Sequence, residues 1–445
     1  MTRTLVLVDG EHYPPTIRWG LQTARAGGLD VVACLFVGGV EKVTPGELPD
    51  LGAVPVEAAG PDLVTSVRDA VRRHAPAVVL DLSDEPVLGY RERSLVAAAA
   101  LVEGVRYVGA DFALEPPIDG PPMRPPTMAV IGTGKRTGKT AVAGEAARTA
   151  ARAGMSPVVV AMGRGGPPEP QVAEAGSVSL EKLLTLVTEG RHAASDYLED
   201  AVTTGVPTVG ARRAGGGLAG RPYASNVREA AHRAEELDPG LLIFEGSGSA
   251  VPPVPWDAGV LVAPGDLPGE FLRGYLGPYR LLLSDLVVFT MGAGPDVGPQ
   301  DLSDLISHVR ELRPDARTIV VDLYPVPLEE VGGKKVFFAT TAPPAAGPSL
   351  VSSLEEKHGA SVVGSTHRLG DRAGLAEDLE SAPPFEVLVT ELKAAAVDVA
   401  ARAALDRGAE VVFADNRAVT IEGDGELSDL LLETARLAEE RAGDR

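Results

Sequence analysis

Short apolar runs alternate with helix-like segments along the chain. In the first part, each run is four to seven residues long and precedes a segment with helical spacing of its apolar positions. The runs lie at residues 4–8, 31–37, 77–81 and 105–108, and the helix-like segments at 17–26, 64–74 and 94–103. Because strands that alternate with helices are typical of βαβ units, this pattern predicts a parallel sheet.

The same alternation resumes after residue 127. Further strands are predicted at residues 128–131, 157–161, 206–209, 240–244, 259–263, 285–289, 318–322, 334–340, 360–363, 385–390 and 410–413. The pattern leaves open whether residues 334–445 fold separately or complete the sheet that begins at residue 128.

A proline-rich segment separates the two series of strands. Residues 115–126 contain six prolines in twelve positions, a composition that favours a semi-rigid, extended spacer. We therefore predict an N-terminal α/β domain at residues 1–114 and a linker at 115–126. A larger domain at 127–333 and a C-terminal region at 334–445 follow.

A glycine-rich turn joins the strand at 128–131 to an alanine-rich helix. Residues 132–140 have the sequence GTGKRTGKT, which is typical of a phosphate-binding P-loop. Backbone N–H groups and the positive end of the helix would enclose phosphates, with Lys139 on the β- and γ-phosphates and the Thr140 hydroxyl on Mg²⁺. The predicted nucleotide-binding residues are Gly132, Gly134, Thr137, Gly138, Lys139 and Thr140.

The position of this motif predicts the fold class. We expect an α/β fold in which a P-loop NTPase-like parallel-sheet domain is preceded by a smaller, Rossmann-like α/β domain. The motif departs from the strict pattern because Thr133 stands where a glycine is expected. A glycine-rich strand–helix turn without a ligand is the alternative, but the strand-to-helix context favours the P-loop.

An acidic residue follows a second apolar strand of the larger domain. Glu245 comes directly after the run at 240–244 and before three residues of sequence GSG. P-loop proteins hold the acid that completes their Mg²⁺ site in such a place. Glu245 and Thr140 are therefore the predicted metal ligands, and an acid that caps a turn is the alternative.

Arginine and glycine cluster after two other strands. Arg212, Arg213 and Arg221 flank four glycines, and Arg164 lies in the sequence GRGG. Guanidinium groups beside bare N–H groups suit a phosphate or carboxylate ligand. We predict these four arginines as substrate ligands, and the alternative is surface arginine in flexible loops.

Cationic residues inside the P-loop add a catalytic hypothesis. Lys135 and Arg136 would neutralise the charge that develops on a transferring phosphoryl group. Together with Lys139 and Arg164, they form the predicted catalytic set.

Three further residues are candidate substrate ligands. Asp9 and His12 follow the first strand in the sequence DGEH, and Lys393 follows the strand at 385–390. Ligands of open α/β sheets bind beyond the carboxyl ends of the strands. Turn and helix-cap chemistry explains polar residues at these positions equally well.

The amino-acid composition limits the kinds of molecule that the protein is expected to bind. The 62 acidic residues exceed the 41 basic residues, and the net charge of −21 argues against a nucleic-acid or membrane-surface binder. No apolar run approaches the ~20 residues that span a bilayer, and no signal peptide opens the chain, so we expect a cytoplasmic protein. The only cysteine, Cys34, lies in an apolar run, which favours a buried strand residue and excludes an intrachain disulfide.

Two stretches of the larger domain resemble dethiobiotin synthetase and its relatives. They are the P-loop at 132–140 and the sequence FEGSG at 244–248. This resemblance implies ATP- and Mg²⁺-dependent phosphorylation of an acid group, after which an internal nucleophile closes a ring.

A second resemblance extends over nearly the whole chain. With the P-loop, the segments that carry it are VDGEHYPP at 8–15, GRGGP at 163–167, RRAGGGLAG at 212–220, EGSG at 245–248 and ELKAAAVD at 391–398. Together they are similar to the cyclic 2,3-diphosphoglycerate synthetase family. The resemblance implies a cytoplasmic homodimer that uses ATP to join the two phosphates of a small anionic substrate, 2,3-diphosphoglycerate, in an intramolecular phosphoanhydride.

Two other functions remain open from the residues alone. The first is a kinase or ligase that acts on another phosphorylated or carboxylated acid, such as a 2-phosphoglycerate kinase. The second is a nucleotide-switch binding module, although the chain lacks the Cys/His clusters of metal delivery and the Asn-Lys-x-Asp guanine signature. The sequence also leaves open the acceptor, the oligomeric state and a requirement for K⁺.

Overall fold

The protein is described by a computed structural model that covers residues 1–44, 46–274, 276–291 and 298–445. Two mainly parallel sheets organise the chain. Each sheet has clusters of buried apolar side chains on both faces. The predicted α/β class is confirmed.

The first sheet belongs to residues 1–114, here called the N-terminal unit. Its strands in the described residues are β1 Thr2–Val8, β2 Leu29–Phe36, β3 Val56–Ala58, β4 Val78–Asp81, β5 Arg106–Val108 and β6 Ala113–Leu114. The strand order is β3-β2-β1-β4-β5-β6, and only the last pair is antiparallel. Its helices are α1 Pro14–Ala26, α2 Leu63–His74 and α3 Tyr90–Val102. Cys34 is buried in β2, as the sequence predicts.

The second sheet begins after the linker. Its first eight strands in the described chain are β7 Thr127–Gly132, β8 Pro157–Gly163, β9 Gln171–Ala173, β10 Thr208–Ala214, β11 Ala224–Ser225, β12 Leu241–Glu245, β13 Ala258–Pro264 and β14 Leu286–Thr290. The helices between them are α4 Lys139–Arg152, α5 Leu180–Thr188, α6 Asp196–Thr204, α7 Val227–Glu235, α8 Glu270–Arg273 and α9 Gly277–Leu282. The P-loop strand β7 is completely buried, with β12 on one side and β13 on the other.

The C-terminal residues extend this sheet. The further strands are β15 Arg317–Pro327, β16 Lys335–Ala339, β17 Ser361–Thr366, β18 Val387–Glu391 and β19 Glu410–Gly423. The further helices are α10 Pro299–Leu312, α11 Gly347–His358, α12 Arg372–Ser381, α13 Arg402–Asp406 and α14 Leu427–Gly443, with a 3₁₀ turn at Pro344–Ala346 and a π-helix at Ala396–Ala401. The strand order continues β14-β15-β19-β18-β16-β17, and β15 and β19 are antiparallel.

The last helix returns to the P-loop. Leu427, Leu431 and Ala435 of α14 share one buried apolar cluster with Val142 and Ala146 of α4. The C-terminal region therefore stabilises the helix that carries Lys139. Within the described residues, no helix has the length and apolar character needed to cross a membrane.

The N-terminal unit packs against a short helix of the second sheet's unit. Val96 and Leu101 of α3 share a buried cluster with Tyr279 and Leu282 of α9. The proline-rich linker is also bound to the second sheet's unit, because Arg221 Nη1 donates to the Pro116 carbonyl at 3.2 Å. The two sheets thus contact each other through α9, as well as through the covalent linker.

Candidate active site

The P-loop wraps around the side chain of Lys139. Its Nζ donates to the Gly134 carbonyl at 2.7 Å and to Thr137 Oγ1 at 3.1 Å. A Cβ atom at Gly132 would lie only 2.7 Å from Lys139 Cδ. A larger residue at position 132, one residue before Thr133, would therefore displace the Lys139 side chain from its place in the loop.

The loop ends in a left-handed residue. Gly138 has a φ of 81°, and a Cβ atom there would lie 2.9 Å from Leu323 and 3.0 Å from Thr290. The Thr290 hydroxyl donates to the Thr137 carbonyl at 2.9 Å. Strands β14 and β15 thus hold the start of α4 in place.

Burial lowers the pKa of Lys139 to about 8, although Glu245 and Asp196 partly oppose that change. The ammonium group lies beside the backbone of the loop that encloses it. A polyphosphate is the kind of ligand that compensates such a buried positive charge.

Thr140 and Glu245 lie together, as their predicted role requires. Thr140 Oγ1 donates to Glu245 Oε1 at 2.7 Å. The contact forms because β12 pairs with β7, so that Glu245 ends its strand opposite Val130. Glu245 is only 4% exposed.

A second carboxyl group, from Asp200 of α6, lies beside Glu245. Asp200 is 1% exposed, and burial and the Glu245 charge raise its pKa well above the ordinary value. Both of its oxygens, like Glu245 Oε2, accept no hydrogen bond from the described residues. We call Glu245 and Asp200 the acid pair. Two buried carboxyl groups without donors suit a bound cation.

The oxygen atoms of Thr140, Glu245 and Asp200 fit a Mg²⁺ site that water and phosphate complete. In the part of the chain that the structure describes, no group of three or more His, Cys, Asp or Glu side chains is placed to hold a metal. Protein sites for Mg²⁺ commonly use one or two carboxylates and complete the shell with water and substrate phosphates. Thr140 and the acid pair match that pattern.

Helix α6 brings two more acids to the same place. Glu199 is buried, which raises its pKa to about 8, and its Oε1 lies 3.0 Å from Lys393 Nζ. Asp196 lies close to Gly163, since a Cβ atom there would be 3.1 Å from Asp196 Oδ2. Lys393 is therefore an ion-pair partner that connects β18 with α6.

Two guanidinium groups converge on the loop after Glu245. A Cβ atom at Gly248 would lie 2.8 Å from Arg164 Nη2 and 3.3 Å from Arg213 Nη2. Arg213 also donates to the Ser247 carbonyl at 2.7 Å. Arg164 makes no hydrogen bond or ion pair with any described residue. We call Arg164, Arg213 and the Gly248 backbone the anion cradle.

Three family descriptions match the chain: cyclic 2,3-diphosphoglycerate synthetase N-terminal domain over residues 3–115, P-loop domain over 127–322 and C-terminal domain over 327–417. The cyclic 2,3-diphosphoglycerate synthetase of Rubrobacter xylanophilus is 48% identical, with 100% of this chain and 99% of that protein covered. The protein of the same name from Methanothermus fervidus is 40% identical, with 98% and 97% covered. This chain belongs to the cyclic 2,3-diphosphoglycerate synthetase family. The resemblance inferred from the motifs, and a P-loop domain as the core of the fold, are confirmed.

In this synthetase-family chain, the other predicted cations lie around the loop. Arg136 has a φ of 63°, and its Nη2 would lie 3.1 Å from a Cβ atom at Gly370 in the C-terminal region. Lys135 is exposed. Neither side chain has an ion-pair partner among the described residues, so both are available to a ligand.

Arg212 and Arg221 have structural partners. Arg212 Nε donates to the Gly166 carbonyl at 3.1 Å, which holds the loop that follows Arg164. Arg221 contacts the linker at Pro116 and lies 3.7 Å from Asp119. The structure does not bring Arg221 to the anion cradle, and its role as a substrate ligand stays a prediction.

Asp9 and His12 lie in the N-terminal unit. Asp9 is fully buried, and its Oδ1 contacts His12 Nδ1 at 2.8 Å while Oδ2 accepts from the Asp84 N–H at 2.6 Å. These contacts tie the end of β1 to the loop after β4. The structure places both residues in a different unit from Lys139, and their substrate role also stays a prediction.

Sequence reasoning missed the acids of α6 and a buried arginine. Asp196, Glu199 and Asp200 have the spacing that places side chains on one helix face, which was the available signal. Arg280 of α9 gave none. It is 4% exposed, donates to the Ser249 carbonyl at 2.7 Å and has no carboxylate partner in the described residues. It holds the loop after Glu245 at Ser249, as Arg213 does at Ser247.

Proposed function

We propose that this protein uses ATP to close an intramolecular phosphoanhydride in 2,3-diphosphoglycerate, with cyclic 2,3-diphosphoglycerate, ADP and phosphate as products. The observation that carries the proposal is the position of the anion cradle. Arg164 and Arg213 meet at Gly248, three residues after the acid that contacts Thr140 of the P-loop. A site for an anionic acceptor therefore adjoins a site for a nucleotide, in a chain that matches the synthetase family along its length.

The nucleotide-binding role belongs to the loop. Backbone N–H groups between Gly132 and Gly138 and the N-terminus of α4 would bind the phosphates of ATP. Lys139 would exchange its contacts with Gly134 and Thr137 for phosphate oxygens. Because the loop is pre-formed around the lysine, this exchange needs little rearrangement.

Thr140 and the acid pair would hold Mg²⁺. A bound Mg²⁺ neutralises charge on the phosphates of the nucleotide. In the free protein, Thr140 donates to one oxygen of Glu245 and leaves the other without a partner. Helix α6 and strand β12 together fix the distance between the two carboxyl groups.

The reaction consists of two displacements at phosphorus. An oxygen of one acceptor phosphate bonds to the γ-phosphorus of ATP while the bond to the bridging oxygen breaks, and ADP leaves with the electron pair. An oxygen of the second phosphate then bonds to the inner phosphorus of the new pyrophosphoryl group, and inorganic phosphate leaves. Both nucleophiles are anionic oxygens, so positioning and charge neutralisation are the main requirements.

Cations of this chain would meet those requirements. Lys139 and Arg164 lie where a phosphoryl group would pass between nucleotide and acceptor, and Arg213 would hold the other end of the acceptor. Lys135 and Arg136 would cover the outer side of the loop. Each is expected to stabilise charge that develops during transfer.

The assembly and compartment are part of the proposal. The family resemblance implies a homodimer that works in the cytoplasm. Multi-angle light scattering on the purified protein is expected to give twice the mass of one chain. A mass of one chain at working concentration would contradict the homodimer and leave the chemistry untouched.

The decisive experiment is ³¹P NMR of the protein with ATP, Mg²⁺ and 2,3-diphosphoglycerate. We expect resonances of ADP, inorganic phosphate and a cyclic phosphoanhydride to appear together. ADP release that depends on a different acid, such as 2-phosphoglycerate, would replace the proposal with a kinase or ligase of that acid. ATP hydrolysis that needs no acceptor at all would favour a nucleotide switch.

A further inference from the structure

A cavity of about 190 Å³ lies between the P-loop unit, residues 127–333, and the C-terminal region, residues 334–445. One wall is the segment before α6, with Arg191, His192 and Ala194. The other wall follows β18 and includes Ala394 and Val397. The cavity therefore depends on the packing of two regions that are far apart in sequence.

The backbone of the second wall is unusual. Ala394 has a φ of 50°, a conformation that residues other than glycine rarely adopt. Two residues later the chain enters the π-helix Ala396–Ala401. Both features cost free energy and are concentrated at functional sites. Here they occur together, in a turn whose buried neighbours Leu392 and Ala395 hold it in place.

His192 connects the cavity with the active site. A Cβ atom at Gly165 would lie 2.5 Å from its Cδ2 and 3.0 Å from its Nε2, so the imidazole lies against the residue that follows Arg164. No hydrogen bond joins this ring to any residue that the structure describes. His192, which lines the cavity, therefore lies against the residue that follows Arg164 in the sequence.

The cations of the active site also lie close to the cavity. Lys393, Lys139, His192 and Arg164 all act electrostatically on the carboxyl group of Asp196. The cavity therefore belongs to the cationic neighbourhood of the P-loop. The carboxyl group of Asp196 lies among these four cations, so their positive charge offsets its negative charge for an anion that extends from Lys139 and Arg164 toward His192.

The other charged groups of the wall have partners. Arg191 pairs with Glu189 and also donates to Gln171. Asp398 pairs with Arg372. Among the charged and titratable side chains of the described cavity lining, the imidazole of His192 is the group left free for a ligand.

We infer that this cavity holds the three-carbon acid of the acceptor, and that His192 donates a hydrogen bond to its distal anionic group. This inference rests on the proposed function and adds a pocket for the acceptor. Pockets for drug-sized ligands occupy about 300–1,000 Å³, so a cavity of about 190 Å³ fits a glycerate-sized acid better than a nucleoside.

Calorimetry with the full-length protein tests the inference. 2,3-Diphosphoglycerate is titrated into protein that is saturated with Mg²⁺ and a non-hydrolysable ATP analogue. His192→Phe removes both ring nitrogens, and Ala194→Trp fills the cavity. His192→Phe is expected to weaken acceptor binding at least about tenfold, the loss typical of one hydrogen bond to a charged group. Ala194→Trp is expected to weaken it at least as much, because the indole occupies the space of the acceptor. The affinity for the ATP analogue is expected to stay unchanged.

Two further variants separate a contact from a packing effect. His192→Gln retains a donor near the position of Nε2 and is expected to recover part of the lost affinity. His232→Phe is the matched control, because His232 is an exposed histidine on α7 that pairs with Glu235. It is expected to bind acceptor like the wild type.

The outcomes distinguish this inference from the proposed function. Wild-type affinity in both His192→Phe and Ala194→Trp would overturn the pocket, even if ³¹P NMR detects the cyclic product. If the wild type instead binds and converts another three-carbon acid, the proposed function fails, and the same variants are titrated with that acid. Weaker binding would then support the pocket, and unchanged binding would overturn it.

Discussion

Both sheets have buried carboxyl groups at the carboxyl ends of their strands, but the hydrogen bonds available to those groups differ. In the N-terminal unit, Asp81 ends β4, and Asp9 follows directly after the neighbouring strand β1. Asp81 accepts a hydrogen bond from the Tyr107 hydroxyl at 2.6 Å, and Asp9 accepts one from the Asp84 N–H at the same distance. Both acids have the donors that their burial requires.

In the P-loop unit, Glu245 at the end of β12 has fewer hydrogen-bond donors than its two oxygens can accept. Glu245 accepts from Thr140 on one oxygen, and its other oxygen and both oxygens of Asp200 have no other donor group in the described chain, so these two carboxyl groups interact with each other. A buried carboxylate without a donor costs free energy that folding must offset. The comparison teaches that a strand end does not by itself mark a functional acid. The proposed metal site rests instead on unmet hydrogen-bonding capacity.

The largest expected effect comes from Lys139→Ala. The substitution removes the cation that the P-loop encloses, and we expect kcat for ADP release to fall by at least about 10²–10³-fold. The measurement is a coupled ADP-release assay with acceptor present. Lys135→Ala, on the exposed side of the same loop, is the control and is expected to lose less. Equal losses in the two variants would contradict the special role of the enclosed lysine.

Arg213→Ala tests the anion cradle. We expect transition-state stabilisation with the acceptor to drop by about 2–4 kcal/mol, while the affinity for ATP stays unchanged. The measurement is kcat/KM for 2,3-diphosphoglycerate alongside nucleotide titration. Arg221→Ala is the matched control from the same glycine-rich loop, because Arg221 contacts the linker. If Arg221→Ala weakened acceptor use as strongly, the predicted role of Arg221 as a substrate ligand would be supported.

The acid pair gives a prediction in which stability and activity change in opposite directions. Asp200→Asn replaces a carboxyl group of the proposed Mg²⁺ site with an amide, which is a weaker ligand for Mg²⁺, so we expect activity to fall about 10–100-fold. In metal-free buffer, the free energy of unfolding at pH 8 should rise by about 1–3 kcal/mol. The sign follows from the pKa. Burial raises the pKa of Asp200 above its ordinary 3.8, so the wild type loses stability as the pH rises through the raised value, and the variant does not.

Glu391→Gln is the matched control for that prediction. Glu391 is also buried, but it accepts hydrogen bonds from Thr340, Thr341 and Asn416. Although burial opposes it, Lys393 and these donors lower the pKa of Glu391 below its ordinary 4.5. We expect Glu391→Gln to lose stability at neutral pH, with the difference from wild type vanishing as the pH falls through the lowered value. Urea unfolding at several pH values measures both variants, and parallel pH profiles would contradict the contrast.

The parts of the site that local sequence encodes could be predicted. The P-loop is a contiguous motif whose glycines and lysine contact one another, and Glu245 follows a strand that the apolar pattern makes visible. The contact between Thr140 and Glu245 then follows from parallel pairing of β7 and β12. Arg164 and Arg213 were found because arginine beside glycine is itself a local signal.

Contacts that depend on tertiary packing could not be predicted. Lys393 pairs with Glu199 on α6 at 3.0 Å, a contact that only the folded C-terminal region makes possible, and its role as a substrate ligand stays a prediction. The strand predicted at 410–413 continues to Gly423 because β15 supplies an antiparallel partner for its half-exposed residues. The helical segment after β18 begins as the π-helix Ala396–Ala401, which no periodicity of the sequence indicates.

The smallest expected effect on catalysis comes from Asp9→Asn in the N-terminal unit. The substitution weakens hydrogen bonds that join β1 to the loop after β4, so we expect a loss of about 1–3 kcal/mol in the free energy of unfolding. The values of kcat and KM per folded molecule should stay unchanged, because the oxygens of Asp9 are already occupied by Asp84 and His12. Asp111→Asn, an exposed acid of the same unit, is the control and should change stability by less than about 0.5 kcal/mol. Chemical unfolding and steady-state kinetics on the same preparations decide the outcome. If Asp9→Asn is fully stable but has lost affinity for acceptor, Asp9 is a substrate ligand. Strand-end acids with satisfied hydrogen bonds would then be functional as well, and the difference drawn between the two sheets would be wrong.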